Sequence, residues 1–128
     1  MRIKVSIALL LGMTAVVLGA FASHGLKAVL TPERLVSFEV GIRYQMIHAL
    51  LLLIVLLSDV FDKKVKLVVF WLTTMGVLLF SGSIYLLNLQ DQLGLSLGFL
   101  GPITPLGGSL LILAWGYLAY KAFTCLPR

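Results

Sequence analysis

The residues of this chain able to do chemistry are two histidines and a handful of amide, hydroxyl and phenol groups: His24, Tyr44, Gln45, His48, Ser81, Ser83, Tyr85, Asn88 and Thr104. They are set in a sequence that is 60% hydrophobic and 12% charged. In such surroundings a buried polar group without a partner costs on the order of 2–7 kcal/mol. Spacing supplies partners. Tyr44 and His48 are four apart and Gln45 and His48 three apart, so each pair shares a helix face. Thr74, Ser81, Tyr85 and Asn88 fall along another face, with Ser83 off that line.

Two kinds of chemistry fit these groups. The first is hydrogen bonding between helices, worth about 0.6 kcal/mol per bond in a membrane but able, in number, to fix helix register. The second is a site for a proton, an ion or a small polar ligand, because imidazole titrates near neutrality and ionisable groups inside membranes are frequently functional. A metal site would need more than two histidines, and no nearby cysteine or paired carboxylate completes a ligand set. No metal and no other cofactor is expected. Ser81 or Ser83 with a histidine could form a nucleophile–base pair, but only Glu39 is near enough in the topology to orient that base. HExxH, GxSxG, the P-loop and a GxGxxG before a helix are all absent from the sequence, so no enzyme is expected.

Four apolar runs must position these residues: Val5–Ala22, Met46–Val60, Leu67–Leu87 and Ile103–Phe123. A helix of about 20 residues crosses a hydrocarbon core of about 30 Å. Lipid offers the backbone no hydrogen-bond partners, so the runs should be helical. The expectation is an all-α membrane protein, an antiparallel up-down bundle of four transmembrane helices in one domain over residues 1–128. The spans are placed at 5–23, 43–60, 66–88 and 104–123. Arg2, Lys4, Lys63, Lys64, Lys66, Lys121 and Arg128 then fall on one side, against Lys27, Arg34 and Arg43 on the other, which makes the first side and both termini cytoplasmic. Trp71, Trp115, Tyr117 and Tyr120 read as interfacial anchors on that side. The net charge of +5 is spread over helix ends and forms no block, which argues against a nucleic-acid partner.

Local signals refine the spans. Ala8, Gly12, Ala15, Gly19 and Ala22 make a heptad-like stripe of small residues in the first helix, suited to close backbone approach in lipid. That stripe favours a retained span over a cleaved signal peptide, despite the Ala-Phe-Ala sequence at 20–22. Thr31 is an N-cap with Pro32 at the first helical position and Glu33 at the positive dipole end. A helix from Pro32 to Val60 would be about 43 Å long, so its early turns, with Glu39 and Arg43 spaced to pair, lie at or beyond the interface. Thr104 and Pro105 repeat the start signal for the fourth helix, where Gly107 and Gly108 point to contact with another backbone. The apolar, glycine-rich stretch 90–102 reads as a turn at the outer interface. Cys125 is the only cysteine, so the chain forms no internal disulfide.

Four segments carry a family resemblance: Gly19–Lys27 (GAFASHGLK), Tyr44–Leu50 (YQMIHAL), Phe80–Tyr85 (FSGSIY) and Ile103–Gly108 (ITPLGG). In order and spacing they resemble the small four-helix membrane proteins typified by bacterial YgdD and YwdK, with Ala22-Ser23 standing where that family usually has Gly-Ala. The resemblance implies the same fold and a multi-pass place in the bacterial cytoplasmic (inner) membrane. It implies no biochemical activity, since none is established for the family.

The topology gathers His24, Tyr44, Gln45, His48, Ser81, Ser83, Tyr85 and Thr104 into the non-cytoplasmic leaflet. The leading expectation is an accessory or scaffold protein acting through helix packing, with Gly12, Ala15, Gly19, Gly107 and Gly108 as packing residues. Membrane lipids and either a second copy or another membrane protein are its expected partners. The alternative is an oligomeric transporter or channel module using the histidine-containing cluster. A lipid-binding role for the stretch 94–102 is a third reading.

Overall fold

The computed structural model describes residues 1–125, and among these it contains no strand. Four long helices follow one another: α1 (Arg2–Ser23), α2 (Pro32–Leu57), α3 (Lys63–Leu89) and α4 (Ile103–Cys125). All four are long and apolar enough to cross a membrane. Single 3-10 turns, Leu26–Ala28 and Gly98–Leu100, break the two connections at the end of the bundle opposite the chain's start.

The helix starts have local causes. The Thr31 hydroxyl accepts the Arg34 amide at 3.3 Å, with Pro32 in the first helical turn. A second cap was not anticipated: Asp62 Oδ1 accepts the Val65 amide at 2.8 Å and starts α3 at Lys63, three residues ahead of the expected span. α1 likewise begins at Arg2 rather than Val5, and α2 stops at Leu57 rather than Val60. Thr104 does not cap α4. The helix already runs from Ile103, and the Thr104 hydroxyl turns sideways to Ser83 on α3.

The helices pack in chain order, α1 on α2, α2 on α3 and α3 on α4. The two inner helices carry the core: half of the most apolar stretch of α3 is buried and 39% of that of α2, against 17% for each outer helix. At the end where α1 begins, Ala8, Leu52, Val55, Leu56, Val65, Val69, Phe70 and Leu118 form one apolar cluster. At the loop end the apolar cluster shrinks to Ala22, Leu30 and Phe38.

Small residues set the helix spacing, though not all in the same way. Ala8, Ala15 and Ala22 are at most 1% exposed against α2. Gly12 and Gly19 lie on the same face, but a methyl group at either would sit 3.9 Å from Ala49 or Ile42, an ordinary contact. Those two glycines therefore do not bring the backbones together. Gly107 does. Its Cα lies against the α3 backbone at Leu79 and Phe80, where no side chain fits. Gly76 answers it from α3, since a methyl there would lie 2.6 Å from Leu111 Cδ2. Gly108 has ordinary room beside the Phe80 ring, 3.5 Å away.

Candidate functional site

The polar residues assemble into a ladder between α2 and α3. At the loop end Arg34 Nη1 meets Asp91 Oδ2 at 2.6 Å, the sole ion pair among the described residues. One turn deeper Asn88 Nδ2 donates to Ser37 Oγ at 3.0 Å and to the Ile84 carbonyl at 2.8 Å. Next, Ser81 Oγ donates to the Gly41 carbonyl at 2.7 Å. Gly41 has no side chain because the Tyr85 ring occupies that space; a methyl there would come within 2.7 Å of the ring. The lowest rung is Gln45, whose Oε1 accepts the Tyr85 hydroxyl at 2.8 Å. Along α2 these positions advance by three or four residues, the spacing that keeps one helix face toward its neighbour.

Gln45 also joins α1. Its amide nitrogen donates to the Leu11 carbonyl at 2.8 Å and to Thr14 Oγ1 at 2.7 Å. One 5%-exposed amide thus ties three helices together and uses both of its donor hydrogens. Ser83 and Thr104 join their hydroxyls between α3 and α4.

His48 belongs to a different junction, between α2 and α4. Trp115 Nε1 donates to His48 Nε2 at 3.1 Å. Indole can only donate, so Nε2 must be the acceptor and the proton of the neutral ring sits on Nδ1. That nitrogen donates to the Tyr44 carbonyl at 2.7 Å. Both ring nitrogens are occupied and the residue is 3% exposed. His48 lies about 24 Å along an α2 roughly 39 Å long. Trp115, expected as an interfacial anchor, donates this bond. The Tyr44 ring stacks near His48 and tilts onto Phe80, with centroids 6.0 and 4.8 Å apart. It remains partly exposed along a cleft of about 720 Å³ between α2 and α4, lined mainly by Phe80, Leu111, Ile112 and Trp115.

His24 does not join these residues. It ends α1, exposed beside Phe21 and Gly25, and makes no side-chain hydrogen bond among the described residues. Glu39 and Arg43 also stay exposed without an ion pair; Asp91, on the far loop, takes Arg34 instead. Thr74, on the predicted polar face, is buried with an unpartnered hydroxyl, as is its neighbour Thr73. Thr14, Ser37, Asp91 and Trp115 are partners not expected from the sequence. Thr14 carried a usable signal, a hydroxyl next to the alanine stripe. The other pairings join residues 51 to 67 positions apart and have no local signature. No group of three or more His, Cys, Asp or Glu residues suited to a metal occurs among the described residues.

Comparison with known proteins extends these observations. The sequence model of a family described as "Protein of unknown function (DUF423)" matches residues 18–108. A UPF0382 membrane protein of Haemophilus influenzae is 38% identical over 88% of this chain and 86% of its own length. The UPF0382 membrane protein YwdK of Bacillus subtilis is 34% identical over 90% of this chain and 91% of its own. A UPF0382 membrane protein of the yeast Schizosaccharomyces pombe is 40% identical, covering 86% of this chain and 92% of its own. No solved structure matches.

Proposed function

The chain belongs to the DUF423 family of membrane proteins, and from that premise we propose that it is a non-catalytic accessory or scaffold protein. It acts by offering the outer faces of α1 and α4 to lipid, to a second copy or to another membrane protein. It resides in the bacterial cytoplasmic membrane, with the start of α1 and the end of α4 on the cytoplasmic side. The lysines and arginines at that end, Arg2, Lys4, Lys63, Lys64, Lys66 and Lys121, support this orientation.

The observation that carries the reading is that the polar ladder is spent on itself. Gln45, Ser81, Ser83, Tyr85, Asn88 and both nitrogens of His48 have partners inside the bundle. A second proton on His48 would set an N–H against the Trp115 N–H, which makes it a poor relay. Meanwhile Leu9, Leu10, Met13, Val16 and Phe21 on α1, and Ile112, Leu113, Tyr120 and Phe123 on α4, stand exposed. One specific observation favours transport instead: the cleft beside His48 and Tyr44.

Purified protein and its His48→Gln variant, reconstituted in liposomes, separate the two. The scaffold reading expects proton and ion leak no greater than in empty vesicles for both proteins. It also expects cross-linking to yield a defined assembly. Flux through the unmodified protein that His48→Gln abolishes, with assembly intact, would establish transport and remove the scaffold reading.

A further inference from the structure

A cavity of about 320 Å³ opens at the end of the bundle where α1 and α3 begin, lined by Met1, Lys4, Leu56, Lys63 and Lys66. Lys4 falls in the first turn of α1, and Lys63 and Lys66 in the first turn of α3. A helix start carries the positive end of the macrodipole, where cations are disfavoured and anions favoured. Neither first turn contains an acid. Asp62, the nearest carboxylate in sequence, has turned Oδ1 to the Val65 amide. Among the described residues the only ion pair is at the opposite end of the bundle, so none of these lysines is in contact with a carboxylate, although Asp59 and Asp62 lie in the loop at the same end. Lys4 is kept beside the cavity by the Phe70 ring, with Nζ 5.7 Å from its centroid.

Charge placed against local preference, in a concave site, is a sign of function rather than of folding. A requirement for positive charge on one side of the membrane explains how many lysines this end carries. It does not explain their convergence from two helices on one cavity. The rest of the lining points to the kind of anion. Leu56 gives the cavity an apolar wall. Ile3, Leu57 and Leu67, near the same end, stand exposed where acyl chains would run. We propose that the cavity binds the phosphate of an anionic phospholipid headgroup, held by Lys4, Lys63 and Lys66 and by the uncapped start of α1. Basic pockets between transmembrane helices are suited to such headgroups.

Thermal unfolding of the full chain in a zwitterionic detergent tests this, with phosphatidylglycerol, phosphatidylcholine or inorganic phosphate added. Phosphatidylglycerol should raise the midpoint, and the other two should not. The Lys4→Gln/Lys63→Gln double variant should bind phosphatidylglycerol roughly fivefold more weakly per lysine removed, the factor equivalent to about 1 kcal/mol per basic residue. The Lys64→Gln/Lys121→Gln variant, which loses equal charge outside the cavity, should bind as the unmodified protein does. Lys63→Arg, which keeps the charge, should also bind. Equal weakening in both double variants would reduce the site to general attraction and overturn the proposal. A matching shift with inorganic phosphate would keep the phosphate site but reject a lipid as its source. No shift with any anion would dismiss the site.

Discussion

The two halves of the α2–α3 pair are held together differently. Toward the loops, Arg34, Ser37, Gly41 and Gln45 meet Asp91, Asn88, Ser81 and Tyr85 through directional bonds. Toward the start of α1, Leu52, Val55 and Leu56 meet Val65, Val69 and Phe70 with no polar bond among them. Lipid tails are as apolar as leucine, so neither half gains much from leaving its solvent. The apolar half coheres by close packing. The polar half is fixed by geometry, since a slip of one residue would strand each donor. The lesson is a division of labour, with tightness at one end of the pair and register at the other.

Substitutions can break or sharpen this comparison, and unfolding titrations in mixed micelles would measure each. The largest loss is expected from Gly107→Val, where the new side chain meets the backbone of Leu79 and Phe80. Overpacking against a backbone that cannot yield should cost about 3 kcal/mol or more and detach α4. Leu52→Ala, in the apolar half, should cost about 3 kcal/mol by leaving a cavity at a fully buried site. Gln45→Leu, in the polar half, should cost less, about 2 kcal/mol. It removes bonds to Leu11, Thr14 and Tyr85 that are each worth about 0.6 kcal/mol in a membrane. A Gln45→Leu loss well above that for Leu52→Ala would reverse the division. The smallest effect is a gain. Thr73→Val keeps the shape and removes an unpartnered buried hydroxyl, so it should stabilise by about 1 kcal/mol.

The same contrast explains what could be read from the sequence. Length and apolarity define a membrane helix, so the four spans and their number were legible. The Thr31–Pro32 start and the alanine face of α1 are local patterns and were legible as well. Cross-helix partners depend on helix rotation and depth, which a linear pattern constrains weakly. Spacing placed Gln45 and His48 on one shared face, yet the first turns to α1 and α3 and the second to α4. Trp115 has the composition of an interfacial anchor and also serves as the hydrogen-bond donor to His48. His24 was placed at a helix end, but being at the same end of a bundle does not make residues neighbours, whereas Thr104, expected as a cap, instead meets Ser83.

The three-way bond of Gln45 also bears on how the chain is assembled in the bilayer. α1 emerges from synthesis first, and once in lipid its Thr14 hydroxyl has only its own backbone to satisfy it, through the Leu10 and Leu11 carbonyls. α2 brings the Gln45 amide, which in the folded chain is paired with α1 and α3. Thr14 and Leu11 on α1 take its amide hydrogens, and Tyr85 on α3 donates to its oxygen. A single side chain therefore links three helices, and a misplaced one would leave Gln45 with an unpaired group in an apolar surrounding.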